Sequence, residues 1–108
     1  MSVTRASSNL IDPDSIFSTI PPERVGLDGA YDHYGLAHRV ASALEKRLGT
    51  QITQRLKVTQ RGSVVVLLGD LPTTVLLSQI IGVAMNMPGT TDVEFNGISI
   101  ARPLQKMV

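Results

Sequence analysis

The chain contains no cysteine and no tryptophan, and it has only two tyrosines and two phenylalanines. Without cysteine there is no disulfide and no thiolate metal site, which agrees with a reducing compartment. The longest aliphatic run, residues 64–68, is far shorter than the roughly 20 apolar residues that cross a bilayer. The first 15 residues lack the apolar run of a secretory signal. We therefore expect a cytoplasmic protein without a transmembrane segment.

The motifs of common enzymes are missing as well. The stretch RGSVVVLLGDLPTTV, residues 61–75, has the wrong glycine spacing for a phosphate-binding loop and carries Asp70 where a cation is needed. His33 and His38 lie about 140° apart on a helix and cannot share a metal ion. No Gly-x-Ser-x-Gly sequence is present. We predict no catalytic residues, no cofactor and no metal, and hence a protein that is not an enzyme.

What the chain does have is enough apolar sequence for one small core: 108 residues, of which 43% are hydrophobic. A domain of this size buries a smaller fraction of its surface than a large one, which leaves little room for a deep cleft. The net charge is only +1, but residues 35–61 hold six basic residues against one acid. The basic residues are Arg39, Lys46, Arg47, Arg55, Lys57 and Arg61. This segment is a candidate surface for anionic partners.

The chain divides into three parts. Residues 1–30 show no sustained periodicity and read as an N-terminal arm that is partly disordered or partner-binding. Within the arm, DPDSIFSTI places Ile16, Phe17 and Ile20 at helical spacing, and we take these three residues as candidate arm contacts. Residues 31–103 form the predicted domain, and residues 104–108 form a C-terminal tail.

Periodicity predicts the elements of the domain. Apolar residues recur every four positions over 33–48, which indicates a helix capped by Asp32 and ended by Gly49. Residues 52–59 and 64–68 read as a β-hairpin, 73–87 as a second helix, and 93–100 as a last strand interrupted at Gly97. Gly82, inside the second helix, predicts close packing against a neighbour. The fold class is α+β: helix-strand-strand-helix-strand, with two helices on one face of a three-stranded sheet.

This order of elements, with RGSVVVLLGDL and AMNMPGTTDVEFNGISI, resembles the BON domain, a small bacterial module. The family pattern has glycines around an aliphatic strand, a helix with small residues, an apolar-Pro-Gly-Val step and a last alternating strand. Its positions over residues 33–101 are filled by Gly62, Val64, Val66, Leu68, Gly69, Ala84, Met87-Pro88-Gly89, Val93, Ile98 and Ile100. Thr90 stands where the family usually has Val, and residues 77–81 are bulkier than usual. The resemblance implies a non-enzymatic binding module of phospholipid surfaces or envelope assemblies.

Alternation in the hairpin predicts a sheet face that is both cationic and apolar. Its candidate residues are Thr53, Arg55, Lys57, Arg61, Val65 and Leu67. The leading hypothesis is a scaffold that self-associates or docks a protein partner through this face and the arm. The alternative is a phospholipid-binding module, peripheral to the inner membrane, that uses Arg55, Lys57 and Arg61. A plain solvated face stays open, and nucleic acid ranks low because the chain offers few aromatic side chains for base stacking.

Overall fold

The computed structural model describes residues 19–100, so most of the arm and all of residues 101–108 lie outside it. The fold is α+β, as predicted, and the long elements follow the predicted order. In chain order the helices and strands are α1 (Gly35–Leu48), α2 (Thr50–Thr53), β1 (Leu56–Arg61), β2 (Val64–Gly69), α3 (Thr74–Asn86), β3 (Asp92–Phe95) and β4 (Ile98–Ser99). The prediction of three strands and two helices is wrong in detail, because β4 and the single-turn helix α2 are additional.

The sheet is mixed, with strand order β1-β2-β3-β4. β1 and β2 form an antiparallel hairpin, and β2 and β3 are parallel because α3 carries the chain back between them. β4 pairs antiparallel with β3. Asn96 and Gly97, with φ of 50° and 88°, make the two-residue turn between them. The interruption predicted at Gly97 is therefore a short turn that adds a strand.

α1 is the central helix of the domain. Leu36, Val40 and Leu44 are fully buried along its inner stripe, and Gly49, at φ 86°, ends the helix as predicted. The predicted N-cap is displaced: Tyr34 holds that position, and Asp32 Oδ1 accepts a hydrogen bond from the Tyr34 amide at 2.9 Å. The side chain thus stabilises the loop before the helix rather than the first helical turn.

The first strand begins later than its alternation predicts. Residues 50–53 coil into α2, in which the Thr53 amide donates to the Gly49 carbonyl at 3.2 Å. Ile52 still packs against the core from this helical turn. One turn of helix and a short strand can bury the same apolar residue, so periodicity over so few residues does not separate them.

The core lies between the sheet and the two long helices. Val65 and Leu67 from β2 and Val93 from β3 are fully buried there, against Leu36, Val40, Leu44, Ile80 and Ala84 from the helices. Side chains alternate along a strand, so Val64, Val66 and Leu68 point to the opposite side. The prediction that Val65 and Leu67 belong to an open face is therefore wrong.

α3 matches its prediction closely, and the Thr73 hydroxyl caps it by accepting a hydrogen bond from the Leu76 amide at 3.1 Å. The described residues do not provide the close neighbour expected at Gly82. A Cβ built at this glycine meets no atom within 4 Å, so no neighbour among residues 19–100 packs closely there.

Arg39 ties the loop before α1 to the rest of the domain. Its guanidinium donates to the carbonyls of Val25 at 2.8 Å, Pro88 at 3.0 Å and Pro22 at 2.5 Å. The planar guanidinium carries five N–H donors, so one arginine can bind three carbonyl oxygens at once. The chain around Pro22 is thereby held beside the turn that follows α3.

Candidate functional site

We define the open face as the side of the sheet turned away from α1 and α3. The strand register places on it Lys57, Thr59 and Arg61 of β1, Val64, Val66 and Leu68 of β2, and Asp92 and Glu94 of β3. Among residues 19–100, both long helices pack on the other side, where the core lies. The open face is thus an uncovered surface within the part of the chain that the structure describes.

The centre of the open face is apolar. Leu68 is 40% exposed, while Val64 and Val66 are half-buried between the neighbouring strands. These apolar side chains contact water, which is unfavourable. A partner that covered them would gain about 25 cal/mol of binding free energy per Å² of apolar surface buried.

The flanks of the open face carry charges of opposite sign. β1 contributes Lys57 and Arg61, and β3 contributes Asp92 and Glu94. Arg61 reaches across β2 to Glu94, with 2.5 Å between Nη2 and Oε2. The hydrogen bond with Glu94 raises the pKa of the Arg61 guanidinium above its ordinary value, and the negative charge of Glu94 adds a smaller increase.

Of the six predicted face residues, the structure brings two together on the open face, Lys57 and Arg61. Arg55 is exposed in the turn before β1, and its carbonyl lies so close to Gly69 that a Cβ there would be 2.3 Å from it. Thr53 lies in α2. With Val65 and Leu67 in the core, the prediction is right for two residues of β1, and it puts β2 in the wrong phase.

Sequence reasoning missed the central and acidic residues of the face. The signal for the central strand was present: a two-residue Gly62-Ser63 turn pairs Arg61 with Val64, which puts both on one side. The acids of β3 come from a crossover, and no short-range pattern fixes their register. The other basic residues of segment 35–61 do not join this face. Arg39 donates hydrogen bonds to backbone carbonyls, and Lys46 and Arg47 are exposed at the end of α1.

Of the two histidines, His33 precedes α1 and His38 lies in its first turn. His38 Nδ1 is 2.7 Å from Asp32 Oδ2, and His33 Nδ1 is 3.1 Å from Arg24 Nη1. They face different partners, and residues 19–100 hold no group of three or more histidines and acids that could bind a metal ion.

Asp32, in the loop before α1, is an acid whose contacts shift the pKa of its carboxyl. The hydrogen bond with His38, followed by the bond from the Tyr34 amide, lowers the pKa of this carboxyl below its ordinary 3.8. A carboxyl whose pKa is lower in the folded state stabilises that state above the ordinary pKa, and this contribution is lost as the pH falls through the folded pKa.

We expect His38→Ala to raise the pKa of Asp32 toward its ordinary value, because the largest cause of the shift is removed. NMR titration of the Asp32 carboxyl between about pH 2 and 6, a range that brackets its ordinary pKa of 3.8, measures this directly. His33→Ala is the matched control, since His33 acts on Asp32 only through a small charge effect. Equal shifts in both variants would contradict the role of the His38 contact.

Comparison with known proteins returns no match among family models, curated proteins or solved structures. Within residues 19–100, no helix combines the length and apolar character required to traverse a bilayer.

Proposed function

We propose that the protein is a non-enzymatic binding module that docks a protein on its open face, and that the partner this face fits best is a second copy of the chain. The observation that carries the proposal is the layout of the face: a basic strand, an apolar strand and an acidic strand, side by side. The resemblance to the BON family, whose members bind rather than catalyse, agrees with it.

This layout is complementary to itself. Consider two open faces in contact, related by a twofold axis that runs parallel to the strands. The rotation places β1 of one copy over β3 of the other while the two β2 strands meet at the axis. Arg61 then faces Asp92 of the second copy, and apolar side chains meet apolar side chains. Opposite charges at such positions give specificity and register more than raw affinity.

The size of the face limits how tightly it can bind. With strands about 4.8 Å apart and about 3.3 Å per residue, a four-stranded face with strands of up to six residues is at most about 20 Å on a side. That is roughly 400 Å² per copy, about half of what a standard interface buries on each partner. We therefore expect weak, reversible association, detectable only at high protein concentration.

Leu68→Asp tests this proposal. We expect the wild-type molecular mass to rise with concentration in light scattering, and we expect the variant to stay monomeric because it buries a carboxylate against the partner's apolar strand. Ile98→Asp is the matched control: Ile98 is 64% exposed, but it pairs with Phe95 and so lies off the open face. A wild-type protein that is monomeric at every concentration, or an equal loss in both variants, would overturn self-association through this face.

The phospholipid alternative is less well supported by the geometry. Asp92 and Glu94 share the open face with Lys57 and Arg61. Two acids beside two bases offer little net attraction to anionic headgroups. Sedimentation with phosphatidylserine vesicles at low salt, weakened by Arg55→Glu with Lys57→Glu, would reverse this ranking.

A further inference from the structure

A second uncovered feature lies on the helix side of the domain, away from the open face. It is a groove of about 640 Å³ between the end of α1 and the outer side of α3. Its lining includes Arg47, Leu48, Gln79, Gly82, Val83 and Met87. Leu48, Val83 and Met87 are half-buried and pack against the core, so the groove has an apolar floor.

The α3 wall of this groove is uncharged and shaped by a glycine. Residues 71–91 contain no acidic or basic side chain, which leaves Arg47 as the charge on the lining. Gly82 costs the helix about 1 kcal/mol relative to alanine. No atom of residues 19–100 comes within 4 Å of a Cβ built there, so nothing in the described domain accounts for that cost.

The chain enters the described domain at one end of the groove. Pro22 lies beside Gly89, where a built Cβ would be 3.0 Å from the Pro22 carbonyl carbon. Arg39 holds the Pro22 and Pro88 carbonyls together, and Met87, which lines the groove, immediately precedes Pro88. Pro22, near the start of the described residues, therefore lies next to the Met87 end of the groove.

We propose that residues 10–18 of the same chain bind in this groove. Their sequence, LIDPDSIFS, supplies apolar side chains for the floor and two acids, Asp12 and Asp14, for Arg47 at the rim. The groove runs along α3 from Met87 to Gln79, about 12 Å at 1.5 Å per helical residue. Nine extended residues reach about 30 Å, so the segment spans it without strain.

This inference does not rest on the proposed function, because the groove and the open face lie on opposite sides of the sheet. It does sharpen the prediction for the arm. Ile16 and Phe17, the arm contacts that lie outside the described residues, are assigned to the helix side, and Ile20, half-buried at the entry point, leads to them.

The chain has no native cysteine, which makes disulfide trapping a direct test. We expect the full-length variant Phe17→Cys with Gly82→Cys to form an intramolecular disulfide on mild oxidation, running as a monomer on a non-reducing gel. Such a bond needs Cα atoms within about 7 Å. The matched control is Phe17→Cys with Leu68→Cys, on the open face, and we expect cross-linking at least about tenfold slower there, because docking raises the local concentration at Gly82 only.

A readout without cross-linking separates docking from chance encounter. Phe17→Trp introduces the chain's sole tryptophan, and we expect its fluorescence to be blue-shifted relative to free indole in water. Adding Gly82→Lys, which fills the groove and places a charge in it, is expected to remove that shift. Equal cross-linking at Leu68, cross-linked dimers instead of monomers, or a water-like spectrum that Gly82→Lys leaves unchanged would each overturn the proposal.

Discussion

Replacing Val65 by aspartate is expected to remove much or all of the folding stability, whereas the same replacement at Val66 is expected to leave the protein folded. Val65 is fully buried among side chains of both long helices. A carboxylate at that position loses its hydration without gaining a partner, at a cost above about 4 kcal/mol. Because domains of this size are stable by only about 5–15 kcal/mol, that loss removes much or all of the stability.

Val66 provides the matched control because it is the next residue on the same strand. It lies half-buried on the open face, where an aspartate can reach water. The expected cost is about 1 kcal/mol, the range of β-propensity differences. Urea unfolding followed by circular dichroism measures both variants. Similar losses at the two positions would contradict the phase of β2 and, with it, the identity of the open face.

Val65 and Val66 also show that the sequence predicts the strand but not which of its sides is buried. Residues 64–68 are aliphatic at every position, so alternation alone does not say which side faces the helices. The existence of the strand and of α1 and α3 could be predicted because glycines, caps and a four-residue recurrence mark them. The phase depended on the turn at Gly62-Ser63, which pairs Arg61 with Val64.

The location of the charged surface was also predicted incorrectly from the sequence. The run of bases in residues 35–61 predicts a cationic surface, but its members take different roles in the fold. Arg39 binds three backbone carbonyls, and Arg61 pairs with Glu94, which is 33 residues further along the chain. Contacts at that separation depend on the parallel crossover through α3, which no local pattern specifies. The face that results is balanced in charge, and this balance is why we propose a second copy rather than an anionic surface as its partner.

Gln60 is the residue whose importance the sequence concealed most fully. It reads as part of a polar turn, yet it is only 7% exposed and every hydrogen-bonding group of its amide is used. Oε1 accepts from the Ala37 amide at 2.8 Å, and Nε2 donates to the carbonyls of Glu23 at 2.9 Å and Gly62 at 2.8 Å. Ala37 lies in the first turn of α1, where amides lack an intrahelical partner. One side chain thus joins the start of α1, the loop before it and the hairpin turn.

Gln60→Met is therefore expected to destabilise the domain by about 3 kcal/mol. The substitution keeps the side-chain length but leaves a buried amide and two carbonyls without their hydrogen-bond partners, and each unpaired group costs about 1–3 kcal/mol of stability. Gln51→Met, on the exposed side of α2, is the control and should stay within about 0.5 kcal/mol of the wild type. Hydrogen exchange adds a local readout, because the Ala37 amide should lose protection beyond the global change. If both methionine variants have the same urea midpoint of unfolding as the wild type, the hydrogen bonds of Gln60 do not stabilise the domain as proposed.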